Sequence, residues 1–241
     1  MPLTVLLTGF GPFPGAPFNP TADLAQRLAR RRRPAFAGIA RVAHVFRTSY
    51  VAVERDLPAL CKRVRPDVVL LFGVATRTQY LRIETRARNA CSPLFPDAGG
   101  GRPGSATIDL GEAATRSGRA PQRALLAAVR ARGLPVRLSH SAGRYLCNFA
   151  YWRALALTDE SAPLVQFIHV PTVRRGPMRP AAQRRITSRD LLRAGEAILT
   201  ALIVAARARR REERRARRPA AAVPVQTELR RKRERLQPIA G

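Results

Sequence analysis

LVQFIHVP, Leu164 to Pro171, is a short apolar run closed by a proline. Its length and flanks read as a buried β-strand, Leu164 to Val170, stopped at Pro171. Two other runs have the same character: LTVLLT, Leu3 to Thr8, ending at Gly9, and VVLLF, Val68 to Phe72. Helical periods separate them. Asn19-Pro20 reads as a cap with proline in the first turn, followed by an apolar stripe of Ala22, Ala25, Leu28 and Ala29. Tyr50, Val53, Leu57, Leu60, Cys61 and Val64 recur every three to four residues and make a second helix, with Cys61 on its core stripe. Tyr80 to Arg88 alternates Leu81, Ile83, Thr85 and Ala87 with Arg82, Glu84, Arg86 and Arg88, which predicts one strand with two different faces. Asp97 to Gly111 is a Gly/Pro-rich loop. Further on, Pro121 to Arg132 is an amphipathic helix closed by Gly133, Pro135 to Ser139 is a strand, and a helix starts near Gly143. Ser188 is expected to cap a long last helix through Leu191, Leu192, Ile198, Leu202 and Ala205. Strands alternating with helices predict a single three-layer α/β/α domain, residues 1–206, with a mostly parallel or mixed central sheet and helices on both faces. Residues 207–241 read as an Arg-rich extension, partly helical and disordered after Pro219.

Composition narrows the function classes. The 241 residues, 46% of them hydrophobic, suffice for one domain with a substantial core. The longest apolar run near the end, Ala197 to Ala206, is too short to span a bilayer, and the N-terminus lacks a basic secretory leader. Three widely spaced cysteines, Cys61, Cys91 and Cys147, form no CxxC, which points to a reducing cytoplasm and away from a disulfide framework or a zinc site. The net charge of +28 is carried almost wholly by arginine, with Lys62 and Lys232 the only lysines. The last 35 residues hold 13 basic and 4 acidic side chains, a net +9 that leaves +19 on residues 1–206. Such charge permits an acidic partner, nucleic acid included. The tail, however, mixes Glu212, Glu213, Glu228 and Glu234 with its arginines and has no interleaved aromatics, the pattern of a solvated helix.

One stretch carries candidate chemistry. In SAGRYLCNFAYW, Ser141 to Trp152, a glycine turn leads into a helix whose first turn holds Cys147. Partial positive charge at a helix N-terminus favours thiolate, and its free N–H groups can hold an oxyanion. A cysteine nucleophile also needs a base and a group to orient that base. His44, His140 and His169 are the only histidines. His169 ends a buried strand, where open α/β sheets bind ligands. Glu84 sits mid-strand between arginines. Spacing alone leaves each of these open between packing or surface pairing and catalysis. The Gly-rich TGFGPFPG after the first strand departs from G-x-G-x-x-G, and its prolines lack the N–H groups a phosphate loop uses.

Five collinear segments resemble the pyroglutamyl peptidase I family, the pyrrolidone-carboxylate peptidases, which are cysteine peptidases. They are LLTGFGPFPGAPFNP (Leu6 to Pro20), PDVVLLFG (Pro66 to Gly73), RIETRARN (Arg82 to Asn89), SAGRYLCN (Ser141 to Asn148) and FIHVP (Phe167 to Pro171). The resemblance spans roughly residues 3–205 and implies a cysteine peptidase of α/β fold that removes N-terminal pyroglutamyl residues from peptides. It implies Cys147 as nucleophile, His169 as general base and Glu84 as the acid that orients the histidine, with no cofactor and no metal. It further implies a lactam pocket at Phe10, Phe13, Val74, Phe95, Tyr145 and Leu146, and a homodimer or homotetramer. Three positions depart from the family pattern: Val74 stands where the family has a glutamine, Leu94 where it has an arginine, and His44 where it has a threonine. These leave the three catalytic positions intact and bear on which N-terminal acyl group is accepted.

Overall fold

The computed structural model describes residues 2–157, 163–173 and 186–216. Eight strands and five α-helices follow in the order β1 (Leu3–Phe10), α1 (Pro20–Arg30), β2 (Ile39–Phe46), α2 (Tyr50–Val64), β3 (Val68–Val74), β4 (Leu81–Glu84), β5 (Arg86–Arg88), β6 (Thr115–Ser117), α3 (Gln122–Arg130), β7 (Val136–Ser139), α4 (Leu146–Leu155), β8 (Leu164–Val170) and α5 (Ser188–Ala216). A 3₁₀ turn, Pro34–Phe36, precedes β2. Six strands form one mixed sheet in the order β2-β1-β3-β8-β4-β7. All its pairings are parallel except β4 with β8. Strands β5 and β6 make a separate two-stranded ribbon.

The alternation of each strand divides the core into two layers. Val68, Leu70, Phe72, Ile168, Leu81 and Ile83 face one side, where Leu24 and Leu28 of α1, Leu125 and Val129 of α3, and Ile198 and Leu202 of α5 cover them. Val69, Leu71, Val165 and Phe167 face the other, beneath Val53 and Leu57 of α2 and Tyr151 and Trp152 of α4. The three-layer α/β/α architecture with a mixed sheet is therefore present, and the compact unit runs from Met1 to Ala206. Residues 207–216 complete α5, where Arg209 pairs with Glu213 one turn on. The disorder expected after Pro219 lies outside the described residues. No helix among those described is long and apolar enough to cross a membrane.

Capping explains the helix starts. The Asn19 side chain accepts from Thr21 N–H at 3.1 Å, with Pro20 in the first turn. α5 is capped by Thr187 rather than Ser188: Thr187 Oγ1 accepts from Asp190 N–H at 3.1 Å, while Asp190 accepts from Thr187 N–H at 3.1 Å, a reciprocal capping box. The expected single strand over Tyr80 to Arg88 is two. At Thr85 the backbone N–H donates to Ser139 O, and β4 ends in the main sheet. Beyond it Ala87 belongs to the core layer opposite that of Leu81 and Ile83. The apolar alternation runs through the break because Ala87 is buried too, on the other side.

Gly9 shows how tightly the first turn is built. A Cβ there would overlap the Thr21 carbonyl, which is backbone and cannot swing aside. Gly9→Ala is expected to lower the unfolding free energy by about 1–3 kcal/mol, as overpacking does. Urea denaturation followed by circular dichroism measures it.

Candidate active site

Cys147, His169 and Glu84 come from three elements and meet on one face of the sheet. β8 carries Val165, Phe167 and His169 at period two, so His169 shares the face of Phe167, toward α2 and α4. Strand β4 puts Leu81 and Ile83 on the opposite face, so Arg82 and Glu84 point to the same side as His169. α4 lies over that face with Cys147 in its first turn. The helix begins at Leu146, three residues later than its expected start at Gly143. The turn between, with Gly143 at φ +87°, supplies the reversal that a side chain would resist.

The imidazole and the carboxylate are directly bonded. His169 Nδ1 lies 2.8 Å from Glu84 Oε1, with both side chains buried. Glu84 is thus no surface pairing partner. Burial alone would raise its pKa, but the hydrogen bond and charge of His169, with Ser139 and Arg82, hold it below the usual carboxylate range. An ionised Oε1 at that distance requires a proton on Nδ1, which leaves Nε2 as the free basic nitrogen. Burial lowers the His169 pKa, against the opposing pull of Glu84. The Glu84 carbonyl is held as well, accepting from Tyr151 Oη at 3.0 Å and Gln166 Nε2 at 2.9 Å.

Cys147 approaches this pair over Gly73. In the β3–β8 register Gly73 is opposite His169. A Cβ added to Gly73 would lie 2.8 Å from Cys147 Sγ and 2.7 Å from the Phe167 ring. The missing side chain is the space the sulfur occupies. Asn148, the next residue, fixes the helix to the strand beyond Glu84: it accepts from Arg88 N–H at 2.8 Å and donates to the Arg88 and Ala90 carbonyls. Tyr145 caps α4 without a side-chain hydrogen bond, so the cap residue offers no acceptor to the first-turn N–H groups. The expected depression of the thiol pKa is outweighed by burial. Burial, with the Glu84 charge adding to it, pushes Cys147 up to about 12, against the weaker pull of Arg82 and the helix backbone. Cys61 and Cys91 stand at about 11 for burial alone or mainly so.

The expected pocket residues are placed unequally. Phe10 is buried at the end of β1 against Phe46, ring centroids 5.7 Å apart. Phe13 is half-buried in the turn that follows. Val74 is half-buried at the carboxyl end of β3, beside Val170. Tyr145 packs edge-on against Tyr50 at 5.9 Å and donates to Pro96 O at 2.9 Å. Leu146 is buried in the core layer under α4, so its side chain packs there. Phe95 is 66% exposed and Leu94 74% exposed, both on the loop that Tyr145 grips through Pro96. His140 lies away from the pair, its Nδ1 2.7 Å from Thr85 Oγ1, and His44 sits on β2 with Nε2 3.8 Å from Asp56. Arg82, one of the two arginines expected to pair with Glu84 at the surface, does pair with it, Nη2 to Oε1 at 2.7 Å, but around a carboxylate that is buried. The signal was its period-two spacing from Glu84.

A family model described as pyroglutamyl peptidase matches residues 3–208. A pyrrolidone-carboxylate peptidase of Gloeobacter violaceus is 30% identical over 201 residues, covering 83% of this chain and 97% of its own. One of Chromobacterium violaceum is 32% identical over 168 residues, covering 70% and 77%. The solved structure of the pyrrolidone carboxyl peptidase from Thermococcus litoralis superposes with a TM-score of 0.75 at 26% identity, covering 86% of this chain and 96% of that one.

The raised Cys147 pKa has a direct readout. Alkylation of Cys147 by iodoacetamide, followed by peptide mass spectrometry, is expected to accelerate continuously from pH 7 to pH 10, as the small thiolate fraction grows. A rate already level at neutral pH would mean that a thiolate forms in the free protein and that burial does not control the group.

Proposed function

The chain belongs to the pyroglutamyl peptidase family, and on that premise we propose that it is a cysteine exopeptidase removing N-terminal pyroglutamyl residues from peptides through a thioester. The observation that carries the reading is the 2.8 Å His169–Glu84 bond, with Cys147 Sγ lodged over the glycine opposite His169. The family match and the names of the relatives supply the substrate class.

The mechanism follows from the protonation states. Cys147 rests as a neutral thiol and His169 as a neutral imidazole with its proton on Nδ1. His169 Nε2 takes the thiol proton as sulfur attacks the pyroglutamyl carbonyl, so the thiolate forms only when it is consumed. The imidazolium is stabilised at Nδ1 by Glu84. First-turn N–H groups of α4, to which the cap side chain offers no acceptor, are the donors available to the oxyanion. The imidazolium then protonates the leaving amine, the amine departs, and the neutral Nε2 activates water against the thioester. Attack by that water releases pyroglutamate and returns the proton to sulfur.

A second reading keeps this chemistry and changes the acyl group. It is favoured by Val74 at the end of β3, which has no amide to offer where the family has a glutamine, and by Leu94, which has no charge. The pocket then prefers a less polar N-terminal acyl group than the lactam.

The test is a panel of N-terminally blocked fluorogenic amides, pyroglutamyl amide included. Pyroglutamyl turnover is expected, falling on the order of 10³-fold or more in Cys147→Ala and about 10²–10⁴-fold in His169→Ala. Full activity in Cys147→Ala would sink the mechanism. Cysteine-dependent turnover of another acyl amide, with the pyroglutamyl amide inert, selects the second reading. Because His169 must be neutral to accept the thiol proton, kcat/KM is expected to rise with pH through an acid limb below the ordinary histidine value.

A further inference from the structure

We propose that Arg82 is a positioning residue of this site: its guanidinium joins the orienting carboxylate of Glu84 to the turn that presents Cys147, and opposes a second positive charge on His169. The inference rests on the catalytic reading above.

The geometry is a three-way tie. Arg82 Nε and Nη2 both donate to Glu84 Oε1, at 2.9 and 2.7 Å. The same Nη2 donates to Ser141 O at 2.8 Å. Ser141 opens the turn through Gly143 that ends at the cap of α4, so one side chain sets the spacing between the carboxylate and the head of the nucleophile's helix. Nη2 also lies 3.5 Å from His169 Nδ1. Both nitrogens direct hydrogens at Glu84 Oε1, so this approach is one of two donors and not a bond between them. Strand pairing makes the approach unavoidable, since Arg82 is opposite His169 in the antiparallel β4–β8 ladder.

The charges around the imidazole are Glu84 and Arg82 on β4, with the Cys147 thiol on α4. Glu84 is wholly buried, and a lone buried carboxylate would hold a proton or an imidazolium tightly. Arg82, 23% exposed, supplies the compensating positive charge. His169 therefore remains a proton acceptor instead of settling into a permanent ion pair with Glu84. Removing a positive charge raises the proton affinity of the His169–Glu84 pair, whichever member holds the proton.

The experiment is an NMR imidazole titration of the full chain, with only three histidines to assign and His169→Ala to identify the signal. In Arg82→Ala the midpoint is expected to rise by about one pH unit or more, as loss of a neighbouring like charge dictates. Arg82→Gln, which keeps a donor but no charge, rises with it. Arg82→Lys stays near wild type. With the pyroglutamyl amide, Arg82→Ala loses roughly 10²-fold in kcat with KM little changed, because the helix head is misplaced. Arg82→Lys recovers part of this. A midpoint in Arg82→Ala or Arg82→Gln that is unchanged or lower overturns the proposal whatever the activity, and so does unchanged kcat. Full turnover by Cys147→Ala, by contrast, removes the nucleophile reading while the Arg82 titration still reports on the charge opposition. If Arg82→Ala does not fold, the Gln and Lys variants carry the comparison.

Discussion

The site depends on one strand pairing. β8 lies parallel to β3 on one side and antiparallel to β4 on the other. The parallel side sets Gly73 against His169 and leaves a hole where a side chain would be. On the antiparallel side Arg82 lies against His169 and Glu84 against Phe167, which brings a carboxylate within 2.8 Å of the ring. Slip that one ladder by a residue and Glu84 turns to the face covered by α1 and α5. The edge strand β7, parallel to β4, secures the arrangement from outside and leads straight into the Ser141 turn.

Much of this was legible from residue order. VVLLF and LVQFIHV are short, apolar and bounded, and both are central strands. SAGRYLCN reads as turn into helix because Gly143 provides a positive φ and the apolar residues after it can only be covered from every side. What was hidden is physical in each case. The break at Thr85 is invisible because alternation survives it, the next apolar residue being buried in the other layer. Thr187 displaced Ser188 as cap because its partner is Asp190, and a capping box is decided by backbone angle as much as by residue type. The thiol pKa misled most. A helix N-terminus does favour thiolate, but it acts over one turn with partial charge, whereas burial beside a buried carboxylate acts on the full charge.

That last balance shapes the chemistry. A preformed thiolate beside an imidazolium needs solvent or a nearby charge to stabilise it; half-buried Cys147 has limited access to the first, and the pull of Arg82 is weaker than the effect of burial. In the proposed mechanism both partners rest neutral, with the carboxylate ionised and tied to Arg82. Charge separates there only when a carbonyl is present to receive the electron pair.

Helix α4 and the loop tied to its cap differ in rigidity. α4 is buried on nearly every side, from Leu146 through Leu155, and Trp152 and Tyr151 at its centre are wholly enclosed. A helix packed in this way resists local opening, and its amide protons beyond the first turn should exchange on the slowest scale the fold allows. The loop carries Leu94 and Phe95 in solvent and is tethered through Pro96 and Asp97. Substitutions can therefore accumulate in that loop at little cost to folding, while any alteration of α4 is tested first as a change to the core.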